Sequence, residues 1–255
     1  MHVLGKDKAW LLTHADDELP EAQAESYLES LDRRYRGEPI QYITGETEFY
    51  GLPFRVTPDV LIPRPETEHL VEQALALATR FQAPRIADLG TGSGAIAIAL
   101  AHHLPNAAIT AIDLSAPALD IARLNAELNG VTHRIRFLEG DLLGSVFGEQ
   151  FDIVVSNPPY VPLADRASLA IEVRDHEPAL ALFAGDDGLD IYRRLIPGAF
   201  AALVPGGFVA LEIGFGQSPV IAALLADSGF DQIEFVPDLQ NIPRVASARR
   251  PARLV

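Results

Sequence analysis

Cysteine is absent from all 255 residues. No disulfide, no thiolate metal site and no thiol redox chemistry is open to such a chain, and the absence fits a reducing, cytoplasmic compartment. Long hydrophobic runs are missing too: the stretch "GAIAIALA" at 94–101 stops at His102 and His103, well short of the roughly 20 residues of a membrane span. The start, "MHVLGKDKAW", has no signal-peptide core. Basic residues are scarce. Twenty Lys and Arg against thirty-five Asp and Glu give a formal charge of −15, which repels a phosphate backbone at long range and disfavours nucleic acid as a partner. The C-terminal "ASARRPARLV" carries three arginines and reads as a solvated tail. The seven histidines show no metal spacing such as H-E-x-x-H, so no metal is expected. There is no internal repeat and no low-complexity segment.

What is present is ordinary globular material. A hydrophobic content of 48% suffices for one large domain plus a small appendage. Residues 1 to 36 are rich in Ala, Leu and Glu, and Ala24, Tyr27, Leu28 and Leu31 recur at helical spacing after Pro20. Between Pro39 and Pro65 the pattern turns to aromatics, β-branched residues, Gly45, Gly51 and five prolines. That predicts a small hairpin around Gly51 followed by an extended connector, with a domain boundary near 65. A helix is predicted from Glu66, where Glu66 and Glu68 suit the helix dipole.

Beyond Pro84, short apolar runs alternate with helical stretches. Strands are predicted at "RIADLG", "AAITAID", "IRFLEGD", "FDIVVSN", "FVALEIG", "QIEFVPD" and "RVASARR", and helices near 93–103, 116–129, 188–203 and 217–228. Such alternation means parallel strands with right-handed crossovers, hence an open α/β sheet covered by helices on both faces. The last two strands, joined by a short loop, should pair antiparallel at its edge. Ligands of these sheets bind beyond the carboxyl ends of the strands. Asp88-Leu89-Gly90, Asp113, Asp141 and Asn157 all close predicted strands, so they are the candidate site.

Three patterns there carry chemistry. The loop "DLGTGSGA" places Gly90, Thr91, Gly92, Ser93 and Gly94 between a strand and a helix, where glycines allow a tight turn and close approach of a ligand. A structural turn would use the same residues, and the loop also satisfies G-x-G-x-x-A of dinucleotide folds. Asp113 follows about 20 residues later, the distance at which an acid accepts from ribose hydroxyls. It could instead cap the next helix, a role open to Ser115 and Pro117. Together these favour an adenosine-containing cofactor, without choosing between a nicotinamide and S-adenosylmethionine.

The third pattern is "VVSNPPY". Proline cannot continue a ladder, so the strand ends at Asn157. A stiff capped loop would look the same. A methyltransferase acting on a planar nitrogen, however, needs two acceptors for the N–H bonds and an aromatic face nearby. Asn157 Oδ1 and the Pro158 carbonyl supply the first, and Tyr160 the second.

With "DLGTGSGAIAIALA", "NPPY", "GEPIQYITGETEFYGLPFRVTPDVLIPRPETEHLVEQAL" and "EVRDHEPALALFAGDDGLDIYRRL" together, nearly the whole chain resembles the protein N5-glutamine methyltransferases of peptide chain release factors, the PrmC/HemK family. The resemblance implies a seven-stranded Rossmann-like class I S-adenosylmethionine-dependent methyltransferase domain over 66–255. It also implies a shortened N-terminal helical, substrate-recognition domain over 1–38, joined by a hairpin and linker over 39–65. Relatives usually carry further helix ahead of "HVLGKDKAWLL", so the chain is expected to begin inside that domain. The implied reaction methylates the glutamine of the Gly-Gly-Gln loop in bacterial class I release factors and yields S-adenosylhomocysteine. By position, Gly90 to Gly94, Asp113, Leu142 and Asn157 would bind the cofactor, with Leu142 by the adenine where an aromatic is common. Asn157, Pro158, Pro159 and Tyr160 would hold the glutamine. Release factors 1 and 2 are the expected partners of a monomer, without nucleic acid or membrane.

Asn241 stands where a glycine often follows and should tolerate a positive φ. Arg64, Glu66 and Glu177 would either touch substrate or shape the cleft. Asp186-Asp187-Gly188 reads as a helix-start turn. Three rivals stay open: an adenine-N6-type methyltransferase of nucleic acid, since the tetrad also suits a flipped base, a non-catalytic binding protein, and a nicotinamide dehydrogenase.

Overall fold

A computed structural model describes residues 1–252. The chain runs α1 (Lys8–Thr13), α2 (Glu21–Tyr35), α3 (Ile40–Thr44), the hairpin β1 (Glu46–Phe49) and β2 (Leu52–Arg55), and α4 (Glu68–Ala78). An alternating part follows: β3 (Arg85–Leu89), α5 (Ala95–His103), β4 (Ala108–Asp113), α6 (Ala116–Leu128), β5 (Ile135–Glu139) and β6 (Phe151–Ser156). It ends with α7 (Ile171–His176), α8 (Asp190–Ala202), β7 (Leu203–Glu212), α9 (Ser218–Asp227), β8 (Asp231–Pro237) and β9 (Pro243–Arg249).

The sheet order is β5-β4-β3-β6-β7-β9-β8. Strands β3 to β7 are parallel, as the buried apolar runs of the central strands β3, β4 and β6 favour, and β9 is antiparallel to both β7 and β8. From β3 the chain passes outward through β4 to β5, then returns to lay β6 on the other side of β3. The direction of winding reverses between β3 and β6. In open α/β sheets that switch point is where the strand ends part and leave a crevice. The register sets Leu89 opposite Ser156, so the loops that follow the two strands start side by side.

Two apolar layers hold the sheet. On one face α4 and α5 pack with Phe49, Phe54, Ile86 and Ile153; on the other α8 and α9 pack with Leu89, Val154 and Leu211. Helix α5, "AIAIALAHH", is apolar nearly all round and accordingly buried from Ala95 to Ala101. Burial of Phe49 and Phe54 contributes up to about 3 kcal/mol each and docks the hairpin onto the sheet core, so it is more than a connector.

Several local details differ from the sequence expectation. The segment "IQYIT" forms α3 although β-branched residues favour strands, because Pro39 presets its start and Gly45, at φ 74°, donates its N–H to Gln41 and ends it. The predicted helix near Glu66 begins with a 3-10 turn, Pro65–Thr67. The periodic face of α2 is present but not covered: Tyr27, Leu28 and Leu31 are exposed. Two of the C-terminal arginines are tied back and only half-buried: Arg249 pairs with Asp231 at 2.8 Å and Arg250 Nη1 donates to Leu203 O; Arg253 lies outside the described residues. Asn241 does adopt a positive φ, 61°. Among the described residues no helix is long and apolar enough to cross a membrane.

Candidate functional site

The β3–α5 loop turns through three left-handed glycines, Gly90 at φ 68°, Gly92 at 55° and Gly94 at 82°. They serve two purposes. At Gly90 and Gly92 a Cβ would meet nothing within 4 Å; both border the pocket, so side-chain-free backbone faces open space there. At Gly94 a Cβ would lie 2.9 Å from Ile98 and 3.1 Å from Ala122. Gly94 is off the pocket wall, and its lack of a side chain lets α5 approach α6. Thr91 and Ser93 are on the wall.

Asp113 closes β4 beside this loop. Its Oδ2 accepts from the Gly92 N–H at 2.8 Å and its Oδ1 from the Ser115 N–H at 2.9 Å, while Ser115 itself caps α6. Asp113 is therefore not needed as the helix cap. Burial pushes its carboxyl up, and the backbone N–H groups of Ser115, Gly92 and Leu114 oppose that. A carboxylate fixed by the glycine loop, with lone pairs left over, can accept further hydrogen bonds from the pocket. Asp88 is different in kind. It is fully buried, off the wall, and accepts from Thr91 Oγ1 at 2.6 Å and the Ala97 N–H at 3.2 Å, with its carboxyl pushed up to about 7 by burial. Of the four polar strand ends, Asp113, Asp141 and Asn157 reach the pocket and Asp88 braces the loop.

Leu142 also lies on the wall, with φ 51°, a left-handed conformation that costs a non-glycine residue of order 1 kcal/mol. It is held there by Gly140, whose N–H donates to Asp113 O, and by packing on the α8 side of the sheet. Asp141 pairs with Arg194.

The tetrad follows β6. Asn157, Pro158 and Pro159 border the pocket. Asn157 Nδ2 donates to Thr67 Oγ1 at 3.1 Å, and Thr67 Oγ1 donates to Glu212 Oε2 at 2.6 Å. Among the described residues, Asn157 Oδ1 and the Pro158 carbonyl accept no hydrogen bond from the protein. Tyr160 is turned away from the wall: its hydroxyl donates to Glu212 Oε1 at 3.3 Å, and its ring packs into the core layer beneath. Its backbone carbonyl accepts from Gln217 Nε2 at 3.2 Å. The aromatic face expected beside the reacting group is thus spent on anchoring the turn.

The opposite lip comes from the linker and the segment after the tetrad. Arg64 borders the pocket and both oxygens of Glu177 accept from its Nη2 at 2.6 Å. Glu177 is buried and off the wall, so it shapes the cleft through Arg64; Glu66 is exposed. Gly188, at φ 74°, precedes α8 in the expected turn, where Asp187 Oδ1 accepts from the Leu189 N–H at 3.1 Å.

Two family models match this chain: "Methyltransferase small domain" over residues 67–173 and "PrmC N-terminal domain" over 1–45. A release factor glutamine methyltransferase of Koribacter versatilis is 44% identical, with 98% of this chain and 89% of that protein covered. Its counterpart from Deinococcus radiodurans is 45% identical, covering 98% and 88%. The chain belongs to the release factor glutamine methyltransferases. The fold agrees: a ribosomal protein L11 methylase from Lactobacillus delbrueckii subsp. bulgaricus superposes with a TM-score of 0.55 at 26% identity, over 78% of this chain and 85% of that one.

As a member of that family the protein is a class I methyltransferase, and its crevice lies where the fold places its ligand. Sequence reading passed over Thr67, Glu212, Gln217 and also Asn125 of α6, whose buried amide donates to Ser93 O in the glycine loop at 2.9 Å. A charged residue inside the otherwise apolar run "FVALEIG" was the available signal for Glu212. The others have no local signature, since Thr67 meets Asn157 across 90 residues.

Proposed function

We propose that this protein transfers a methyl group from S-adenosylmethionine to the side-chain amide nitrogen of the glutamine in the Gly-Gly-Gln loop of release factors 1 and 2, in the cytoplasm and as a monomer. The observation that carries the reading is the pair of unoccupied acceptors, Asn157 Oδ1 and the Pro158 carbonyl, on one rigid turn at the pocket wall. An amide nitrogen is a poor nucleophile because its lone pair is delocalised. Two acceptors that hold both N–H bonds turn the lone pair toward the electrophile and stabilise the nitrogen as it gains positive charge. No strong base is needed before attack, because the nitrogen becomes acidic only as it is alkylated.

The residues fit the cofactor. Gly90 and Gly92 leave a cradle that a Cβ would fill, Thr91 and Ser93 border it, Asp113 has lone pairs for ribose hydroxyls, and Leu114 and Leu142 offer aliphatic faces to an adenine. Gly94 supports that cradle from behind. When bound, the cofactor supplies an electrophilic methyl on a positive sulfur and departs as S-adenosylhomocysteine. Asn157, Pro158 and Pro159 bound the glutamine, and Tyr160 fixes their turn. In domain terms, 1–38 would recognise substrate, 39–65 would link, and 66–255 would catalyse. Among the described residues no group of three or more His, Cys, Asp or Glu could hold a metal ion.

The test is incubation with labelled S-adenosylmethionine and a bacterial release factor, followed by mapping of the label. Label on the loop glutamine is expected. An unmodified release factor with transfer to DNA or rRNA would overturn the reading.

A further inference from the structure

Beside Asn157 on the pocket wall is Thr67, and behind the two runs a buried polar chain to which the methyl-transfer step assigns no role. Thr67 Oγ1 is 2.6 Å from Glu212 Oε2, Tyr160 Oη is 3.3 Å from Glu212 Oε1, and Tyr192 Oη donates to the Glu212 backbone carbonyl at 2.6 Å. Thr67 and Glu212 are 4% and 2% exposed. Four separate pieces of chain converge here: the 3-10 turn before α4, the tetrad, α8 and the end of β7. Two hydroxyl donors on one carboxylate offset part of the cost of its charge in the interior.

We propose that Thr67 and Glu212 are positioning residues that dictate which end of the Asn157 side-chain amide faces the pocket. The inference deepens the methyl-transfer reading and rests on it. An ionised carboxylate can only accept. The single proton of Thr67 is therefore committed to Glu212, and the Thr67 oxygen can only accept in turn. Only the NH2 end of Asn157 satisfies it, so Oδ1 must point into the pocket. Turned over, the amide would set Oδ1 against the Thr67 lone pairs and present N–H donors to the substrate N–H groups. Catalysis thus depends on a direction of hydrogen bonding set two bonds away.

The chain is a proton-sensitive device. Burial pushes the Glu212 carboxyl up to about 7, against the Thr67 and Tyr160 hydroxyls, with Glu66 adding to the rise and Arg244 opposing it. Tyr192 also faces it, with its own hydroxyl held far above its ordinary range. Once protonated, Glu212 has a proton to give Thr67, which frees the Thr67 hydroxyl to donate to Asn157 Oδ1 and favours the inverted amide. The group is neutral below about 7 and charged above it, so the correct orientation is enforced on the alkaline side and relaxed on the acid side.

Two readouts test this. In NMR spectra of the protein without substrate, the Asn157 side-chain amide signals should shift with an inflection near 7. The inflection should vanish in Glu212→Gln, and the signals should move in Thr67→Val. In kinetics at pH 8, Thr67→Val should lose roughly tenfold to 100-fold in turnover with cofactor affinity by calorimetry unchanged, and Thr67→Ser should restore most of it. An Asn157 amide insensitive to pH and to both substitutions, or wild-type turnover in Thr67→Val, overturns the proposal. Because the amide signals need no methyl acceptor, they decide the matter even if release factors prove not to be the substrate. If Glu212→Gln does not fold, the two Thr67 variants still give both readouts.

Discussion

At the scale of single residues, the site separates groups that touch substrate from groups that hold them. Asn157→Ala removes one of two acceptors and leaves the cofactor cradle alone, so cofactor binding should stay near normal while turnover falls by about 10²-fold. Calorimetry beside single-turnover rates checks this, and equal loss of both would mean that the amide serves the cofactor. Gly94 makes the opposite case. A methyl there meets Ile98 at 2.9 Å in a left-handed backbone, so Gly94→Ala should lower stability by about 1–3 kcal/mol in denaturant unfolding. The loss comes from packing of α5 on α6, although the residue sits in a loop whose sequence advertises ligand binding. Tyr160 teaches the same caution: its type suggested stacking, and its hydroxyl and ring are committed to Glu212 and the core.

Among elements, Asn125 joins three that the sequence presents separately. Fully buried on α6, it donates to Arg55 O at 3.0 Å and Ser93 O at 2.9 Å and accepts from the Arg55 N–H at 2.6 Å. It thereby ties the hairpin to the glycine loop. Asn125→Ala leaves those three backbone groups without their partner at about 1–3 kcal/mol for each that stays dry, so it should lower the unfolding temperature and weaken cofactor binding together. A drop in stability with unchanged affinity would show that the loop holds its shape without the hairpin. The strands and main helices were legible because their periods of 2 and 3.6 are written locally. The glycine loop, Asp113 and Asn157 were legible because strand ends on one sheet edge must converge. Asn125, Thr67 and Glu212 were not, since their meaning lies in pairings across 32 to 145 residues that only the folded chain creates. Helix α3 was missed because Pro39 and Gly45 override the strand preference of its β-branched residues.

For the whole molecule, the pocket is closed by segments that belong to no layer of the sheet. The linker before α4 and the stretch after the tetrad meet at the pocket, and Arg64 with Glu177 joins them, one partner third-exposed at 32% and the other at 1%. Burial pushes the Glu177 carboxyl up, and Arg64 is the cation that opposes it. Removing that cation in Arg64→Met leaves the carboxylate dry, a loss toward the lower end of about 3–5 kcal/mol because Arg64 keeps part of its hydration. The sign of the pH dependence follows. With its folded pKa raised further above the unfolded value, Glu177 in the variant takes up a proton on folding, so the penalty is full at high pH and relieved as pH falls. The gap in unfolding free energy between wild type and Arg64→Met should accordingly be larger at pH 8 than at pH 5.5. The cleft should loosen in step, with weaker cofactor binding at pH 8 that partly recovers in acid. A gap of one size at both pH values would mean that Glu177 reaches water once Arg64 is gone, and that the two segments are held together by the surrounding apolar contacts instead.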